Sequence, residues 1–390
     1  MSQSELVVAG HICLDIAPAF NPAQGFEQVF CPGRLSLVGA ATMATGGVVA
    51  NTGLAAHKLG LDTVLMGKVG ADSFGAVIQD RLARSGVKTA MSVSPDVTSS
   101  YSIVLNLAGT DRIFLHHSGA NDDFLAADID AAVVKDCRLF HFGYPPLMKS
   151  MYVQGGAELL AIMKKAKGLG VTTSLDMAMP DPSTESGRVD WEGIIQSVAP
   201  WTDIFVPSYE ELFLMLARDE YLAWRGASQK QELSDRPDVT RIREFARRLQ
   251  GFGMGIVMIK VGKNGIYLLT PDAARLQAFG AVTLDPAWAN RELWAESCVP
   301  QVFLSSTGAG DCAIAGFLTA LIRGLGPQEA LRLATIAGYQ NLRAVDSVSG
   351  LGDWAELQGE LQNAALLYNE TDLTGYGFSR IGRGLWGTEL

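Results

Sequence analysis

The strongest constraint on the fold is a rhythm. Short, continuously apolar runs recur along the 390 residues, and most are followed by a segment of helical period. The runs are "ELVVAGHICLDI" (5–16), "DTVLMGKVG" (62–70), "CRLFHFG" (137–143), "GVTTSLDMA" (170–178), "TDIFVPS" (202–208), "GIVMIKVG" (255–262) and "GIYLLT" (265–270). A run that does not alternate with polar residues needs cover on both faces, so these predict strands of a parallel sheet between helices. The segments between them, such as "ANTGLAAHKLG", "FGAVIQDRLARSG" and "VTRIREFARRLQGFG", carry apolar residues at three- and four-residue spacing. Strand alternating with helix restricts the chain to right-handed βαβ crossovers, and so to the α/β class.

Two stretches break the rhythm. Residues 27–45, "EQVFCPGRLSLVGAATMAT", read as strand pieces around a Pro-Gly turn. In residues 99–118, Tyr101, Ile103, Leu105 and Leu107 fall on one face, and "AGTD" supplies a hairpin turn. Both predict a small β-sheet attached to the main domain as a lid or an oligomer edge. From residue 361 the sequence loses periodicity and gains glycine, which suggests a C-terminal tail of uncertain order behind one domain spanning 1–360.

Composition removes several function classes. The formal net charge is −10 and no Lys/Arg run forms a basic stripe, which argues against nucleic acid and against an anionic membrane surface as partners. The five cysteines are an odd number without CxxC spacing, so neither zinc nor a disulfide framework is expected. No span reaches the roughly 18 apolar residues of a membrane helix, and the start "MSQSELVVAG" has no long apolar segment. A cytoplasmic protein is expected.

The chemistry concentrates in "SSTGAGDCAIAGF" (305–317). Its glycines let successive N–H groups converge on one point before a buried helix, whose N-terminus favours an anion. Asp311 there is either a helix-stabilising acid or a base beside an anion site. No Lys follows the glycines as a Walker A loop requires, and the first strand carries no GxGxxG, which excludes a dinucleotide oxidoreductase. A second glycine pair, "GGVVAN" (46–51), opens another helix, with Asn51 about one turn in, where its amide suits a polyol.

Together "GHICLD", "GGVVAN…GKVGADSFG", "GTDRIFLHHSGAN", "VPSYEEL", "KVGKNG" and "STGAGDCAIAGF" resemble, in order and over about residues 5–355, the ribokinase-like (PfkB) carbohydrate kinases. The resemblance implies a three-layer α/β/α ribokinase-like domain with a mostly parallel central sheet and a small β-sheet lid (about 16–45 and 98–119). It implies transfer of the ATP γ-phosphoryl group to a hydroxyl of a small sugar or sugar derivative, with Mg2+. Asp311 would be the catalytic base, and the amides of Gly308, Ala309 and Gly310 the anion hole. Asp15, Gly46, Gly47 and Asn51 match sugar-holding positions, and Ser208, Lys260, Gly262, Gly265 and Thr307 nucleotide-side positions. Glu211 would order magnesium through water. A homodimer joined through the lids is expected.

The chain departs from the family pattern at several positions. Ser208 replaces the Asn of the Asn-x-x-Glu motif, and Ser-x-x-Glu is also a helix capping box. Ser305 replaces an acid in a region that holds a monovalent cation in some members, which puts potassium activation in doubt. Lys260 replaces a usual Thr, as a phosphate contact or a solvated strand end. Val48 replaces a Lys common in ribokinases, which disfavours ribose. Trp288 and Trp294 flank the adenine or a neighbouring subunit, or pack in the core. Adjacent His116 and His117 point to opposite faces of a strand, so they do not chelate one ion, and one of them could face the substrate. Two alternatives stay open: a nucleoside kinase of the same fold, and a catalytically weak sugar- or nucleotide-binding protein.

Overall fold

A computed structural model describes residues 4–107, 113–227, 233–235 and 237–388. Among the described residues, the seven apolar runs supply seven strands of one eleven-stranded sheet. Strand Ser4–Gly10 lies inside it, parallel to Cys137–Gly143 on one side and to Thr63–Met66 on the other. Parallel pairing continues outward through Thr172–Leu175 and Ile204–Phe205 to Ile256–Lys260, and on the opposite side to Lys88–Thr89. Beyond Ile256–Lys260 the pairing turns antiparallel, through Ile266–Leu269 and Glu292–Ala295. Helices cover both faces. Leu6 and Val8 belong to one apolar cluster with the helices Val48–Lys58, Ala309–Ile322 and Pro327–Asn341, while Val7 and Ala9 belong to the opposite one with Ala157–Gly168 and Val239–Gly251. Both faces of the strand are dry, which is why it shows no polar alternation. Trp288 and Trp294 are buried in these clusters, their indole N–H groups donating to Leu325 O and Asn264 O. Both tryptophans are core residues.

The second sheet has four strands, in the order Thr42–Gly46, Cys13–Ala17, Tyr101–Leu105, Ile113–His117. Two pieces differ from expectation. Residues 26–29 form a single helical turn, because Gln28 Oε1 accepts the Gly25 N–H at 3.0 Å, and strand structure begins only at Thr42. The "AGTD" turn (108–111) lies outside the described residues.

The final residues extend the main sheet. Phe378–Gly382 and Leu385–Thr388 pair as a hairpin, and the second strand pairs with Glu292–Ala295. Buried Glu296 holds this segment: it accepts hydrogen bonds from Thr371 N, Trp386 Nε1 and the Arg380 guanidinium. The aperiodic composition hid these strands because their partners are turn-flanked and short. Deleting residues 371–390 leaves Glu296 buried without those donors and bares a sheet edge. The expected outcome is a protein that expresses mainly as aggregate, checked by the soluble fraction against the full chain. No helix of the described residues is long and apolar enough to cross a membrane.

Candidate active site

Strand Ser4–Gly10 and the helix Val48–Lys58 bring the N-terminal motif to the helix Ala309–Ile322. Gly308 caps that helix in the left-handed region, at φ 73°, and a Cβ there would lie 2.3 Å from Ser347 O. Only glycine fits both conditions, and the resulting turn places buried Asp311 in the first helical turn. Its carboxylate is densely held. Tyr144 Oη lies 2.8 and 2.9 Å from its two oxygens, Thr52 Oγ1 donates to Oδ1 at 2.9 Å, and Asn51 Nδ2 donates to Oδ2 at 3.3 Å. Burial raises its pKa, and the opposing pull of Tyr144, Lys260, Thr52 and Asn51 does not cancel that rise.

The glycine loop differs in one detail from the expected anion hole. Ala309 N–H donates to Ser306 O at 3.2 Å, so its amide is engaged inside the loop. The amides of Gly310 and Asp311, in the first helical turn, are ones the helix itself cannot pair. Lys260 lies over this point, its Cδ and Cε 3.7 Å from where a Gly310 Cβ would stand. Its ammonium donates to Asp176 Oδ1 (2.7 Å) and Val206 O (2.6 Å), so Lys260 is not a solvated strand end. Burial disfavours this charge, but Asp176, Glu211 and Asp311 together keep the Lys260 pKa above its usual value. Asp176 is pushed up, first by burial and then by Glu211 and Asp311, with Lys260 opposing.

Ser208 and Glu211 form the capping box of helix Tyr209–Leu216: Glu211 Oε2 accepts from Ser208 N at 2.6 Å, and Ser208 Oγ accepts from Glu211 N at 3.3 Å. The box uses one of the two Glu211 oxygens, and Glu211 still acts electrostatically on Lys260 and Asp176. Gly262 and Gly265 form the turn directly after Lys260. Thr307 O accepts from Asn341 Nδ2 at 2.8 Å, and the same amide donates to Asp346 O at 3.1 Å, tying the glycine loop to the loop after helix Pro327–Asn341.

The lid contributes a polar row. Asp15, Ser102 and His116 stand directly opposite one another on three neighbouring strands. Ser102 Oγ and His116 Nδ1 are 3.0 Å apart, and His116 Nε2 lies 3.3 Å from Nε2 of His11 on the main-sheet side. Burial, then His116, lowers the His11 pKa to about 3, so His11 is uncharged at neutral pH, and burial lowers His116 as well. Burial also raises Asp15. Gly46 is fixed by that carboxylate, since a Cβ there would approach Asp15 Oδ2 to 2.2 Å. Gly47 caps helix Val48–Lys58 at φ 84°. His11 Nδ1 and Asn51 Oδ1 are buried without a hydrogen-bond partner. Sequence reasoning missed Tyr144, Thr52, Asp176 and His11. For Tyr144 a signal existed, an aromatic between the strand "LFHFG" and Pro145-Pro146, but nothing in that pattern points across to Asp311.

The pfkB family carbohydrate kinase model matches residues 4–350. A protein from Archaeoglobus fulgidus named "Uncharacterized sugar kinase" is 24% identical over 294 residues, 75% of this chain and 96% of that one. "Probable fructokinase-7" of Arabidopsis thaliana is 25% identical over 225 residues, 56% of this chain and 61% of that one. Among solved structures, Arabidopsis thaliana ribokinase complexed with ribose and ATP superposes with a TM-score of 0.67 at 18% identity, covering 93% of this chain and 100% of that one. With a family match across nearly its whole length and the fold to go with it, the chain belongs to the pfkB family of carbohydrate kinases.

Proposed function

We propose that this protein transfers the γ-phosphoryl group of ATP to a hydroxyl of a small, neutral sugar, with Asp311 as the base. The observation that carries the reading is the meeting of three things at one helix start: a buried carboxylate, unpaired first-turn amides and the Lys260 ammonium. Phosphoryl transfer has a loose transition state, so positioning and charge stabilisation account for most of the catalysis. Asp311 accepts the proton of the sugar hydroxyl. The Gly310 and Asp311 amides and Lys260 stabilise charge on the transferred group. Among the described residues no cluster of three or more His, Cys, Asp or Glu side chains forms a metal cage. This donor set suits a magnesium ion carried mainly by nucleotide phosphates and water, with Glu211 and Asp176 as the nearby acids. Bound there, Mg2+ would neutralise charge on the phosphates.

The acceptor end is neutral to acidic. Asp15 and Asn51 are placed to hold sugar hydroxyls, and the unpaired His11 Nδ1 and Asn51 Oδ1 await partners that a polyol supplies. No positive side chain stands in this row of Asp15, Ser102, His116 and His11, so a sugar acid or sugar phosphate fits it poorly. On the nucleotide side, exposed Val302, Phe303, Leu304 and Val345 flank the loop, with Leu304 N–H donating to Leu342 O, and offer an apolar rest for the adenine. Ser305 stands where an acid is expected, and Asn341 Nδ2 already holds the glycine loop by donating to Thr307 O and Asp346 O, which supports activity without potassium. Exposed Met43 and Leu115 on the lid support a dimer through that sheet.

The test is ADP release with Mg-ATP across a panel of neutral sugars, sugar acids and nucleosides, paired with thermal melting. A neutral sugar should give turnover, and at 100 times its dissociation constant should stabilise the protein by about 2.7 kcal/mol. Turnover confined to nucleosides, or absent from the whole panel with saturable ATP binding, refutes the reading.

A further inference from the structure

Tyr144 is bonded to the proposed base at the spot where an acceptor alcohol would donate. We propose that Tyr144 is a positioning residue that occupies the acceptor place on Asp311 in the sugar-free protein, its phenol hydroxyl masking the base until a substrate hydroxyl displaces it. This rests on the reading of Asp311 as base.

Three donors crowd the Asp311 carboxylate, and each lowers its basicity. Asn51 and Thr52 stand on the first turns of a buried helix, whose backbone does not yield easily. Tyr144 is different. It follows the last residue of strand Cys137–Gly143 and has φ 64°, ψ 39°, left-handed for a bulky side chain and against the extended preference of a residue before proline. A strained, strand-end residue is the member of the trio suited to move. Its ring stands 6.1 Å from that of His11, on the side of the polar row where the sugar would lie. A phenol O–H donating to a carboxylate reproduces the contact an alcohol substrate makes. While it is there, a water molecule cannot use Asp311 to attack the phosphoryl group. Arrival of the sugar exchanges one O–H donor for another.

The charged groups facing Asp311 and Tyr144 are Lys260 from the strand Ile256–Lys260, Asp176 just after the strand Thr172–Leu175, and Glu211 from the helix Tyr209–Leu216. All three remain in Tyr144→Phe, so changes in that variant report the lost hydroxyl.

The experiment measures ADP release with Mg-ATP and no sugar, then the pH profile of sugar-dependent kcat/KM. In Y144F, sugar-free hydrolysis should rise roughly 3- to 10-fold, the scale of one hydrogen bond. The acid limb of kcat/KM should move to higher pH, because the Tyr144 bond holds the Asp311 pKa down. A merely structural role would move neither. Unchanged hydrolysis with an unmoved acid limb overturns the proposal, as does a rise in hydrolysis that persists in Y144F/D311N. If D311N alone retains full sugar phosphorylation, the base assignment fails instead, so the two readings fail by different results.

Discussion

Asp311→Asn should lower kcat for sugar phosphorylation by about 10²- to 10⁴-fold, the contribution typical of a positioned general base. The amide is nearly isosteric, keeps one acceptor for Tyr144 and Thr52, and cannot take the hydroxyl proton. The fold should survive. Burial raises the Asp311 pKa in the native protein, so the native state holds this proton to higher pH than the unfolded chain does. Such a group costs stability as pH rises through its native pKa. D311N removes that cost, and its melting temperature at neutral or higher pH should not fall below wild type. The wild-type rate should decline as pH drops through a value above the ordinary aspartate range, because only the carboxylate accepts a proton. A loss under tenfold in kcat, with a normal melting curve, would show that the carboxylate is not the proton acceptor.

The parts of this molecule legible in the sequence are those fixed by local pattern. Continuous apolar runs such as "GIVMIK" announced strands buried on both faces, and Ser4–Gly10 is buried that way because helices pack on each side. Gly308 and Asp311 were legible because a left-handed cap and an acid one turn later are local demands of a helix start. Long-range pairings were not legible. Asn51 and Thr52 meet Asp311 across about 260 positions of chain, and Tyr144 meets it across 167. No periodicity encodes such contacts; only the assembled sheet and its covering helices bring them together. The C-terminal strands were hidden for a related reason. Only Phe378, Leu385 and Trp386 of these strands reach the core, too few to read as an apolar run, and the segment is held as well by buried Glu296, which accepts from Thr371, Arg380 and Trp386. Lys260 read equally well as a phosphate contact or a solvated strand end, since its partner Asp176 lies 84 positions away.

That lysine carries the second large effect. Lys260→Met keeps the apolar stem over Gly310 and removes the ammonium, which leaves Asp176 buried, its side chain 3% exposed, without its ion-pair partner. Breaking a buried pair from one side costs about 3–5 kcal/mol when the remaining charge cannot be neutralised. Here it can be, in a pH-dependent way. Burial, Glu211 and Asp311 already push Asp176 upward, and Lys260 is the group that restrains it. In K260M the Asp176 pKa therefore rises further, and the acid is accommodated as a neutral carboxyl at low pH. A raised native pKa for an acid means stability lost as pH increases, so the melting-temperature deficit of K260M should be small near pH 5 and grow toward pH 9. Asp176→Asn in the same chain should recover most of the alkaline deficit, because no buried charge then remains. The double variant should stay slow: without the ammonium beside the first-turn amides, the transferred phosphoryl group loses a charged contact worth roughly 10- to 100-fold in rate. Thermal melts of K260M and K260M/D176N across that pH range, read beside kcat at one fixed pH, separate the two roles. A pH-independent deficit would mean that Lys260 stabilises by packing alone, and full activity in the double variant would remove it from the phosphoryl site.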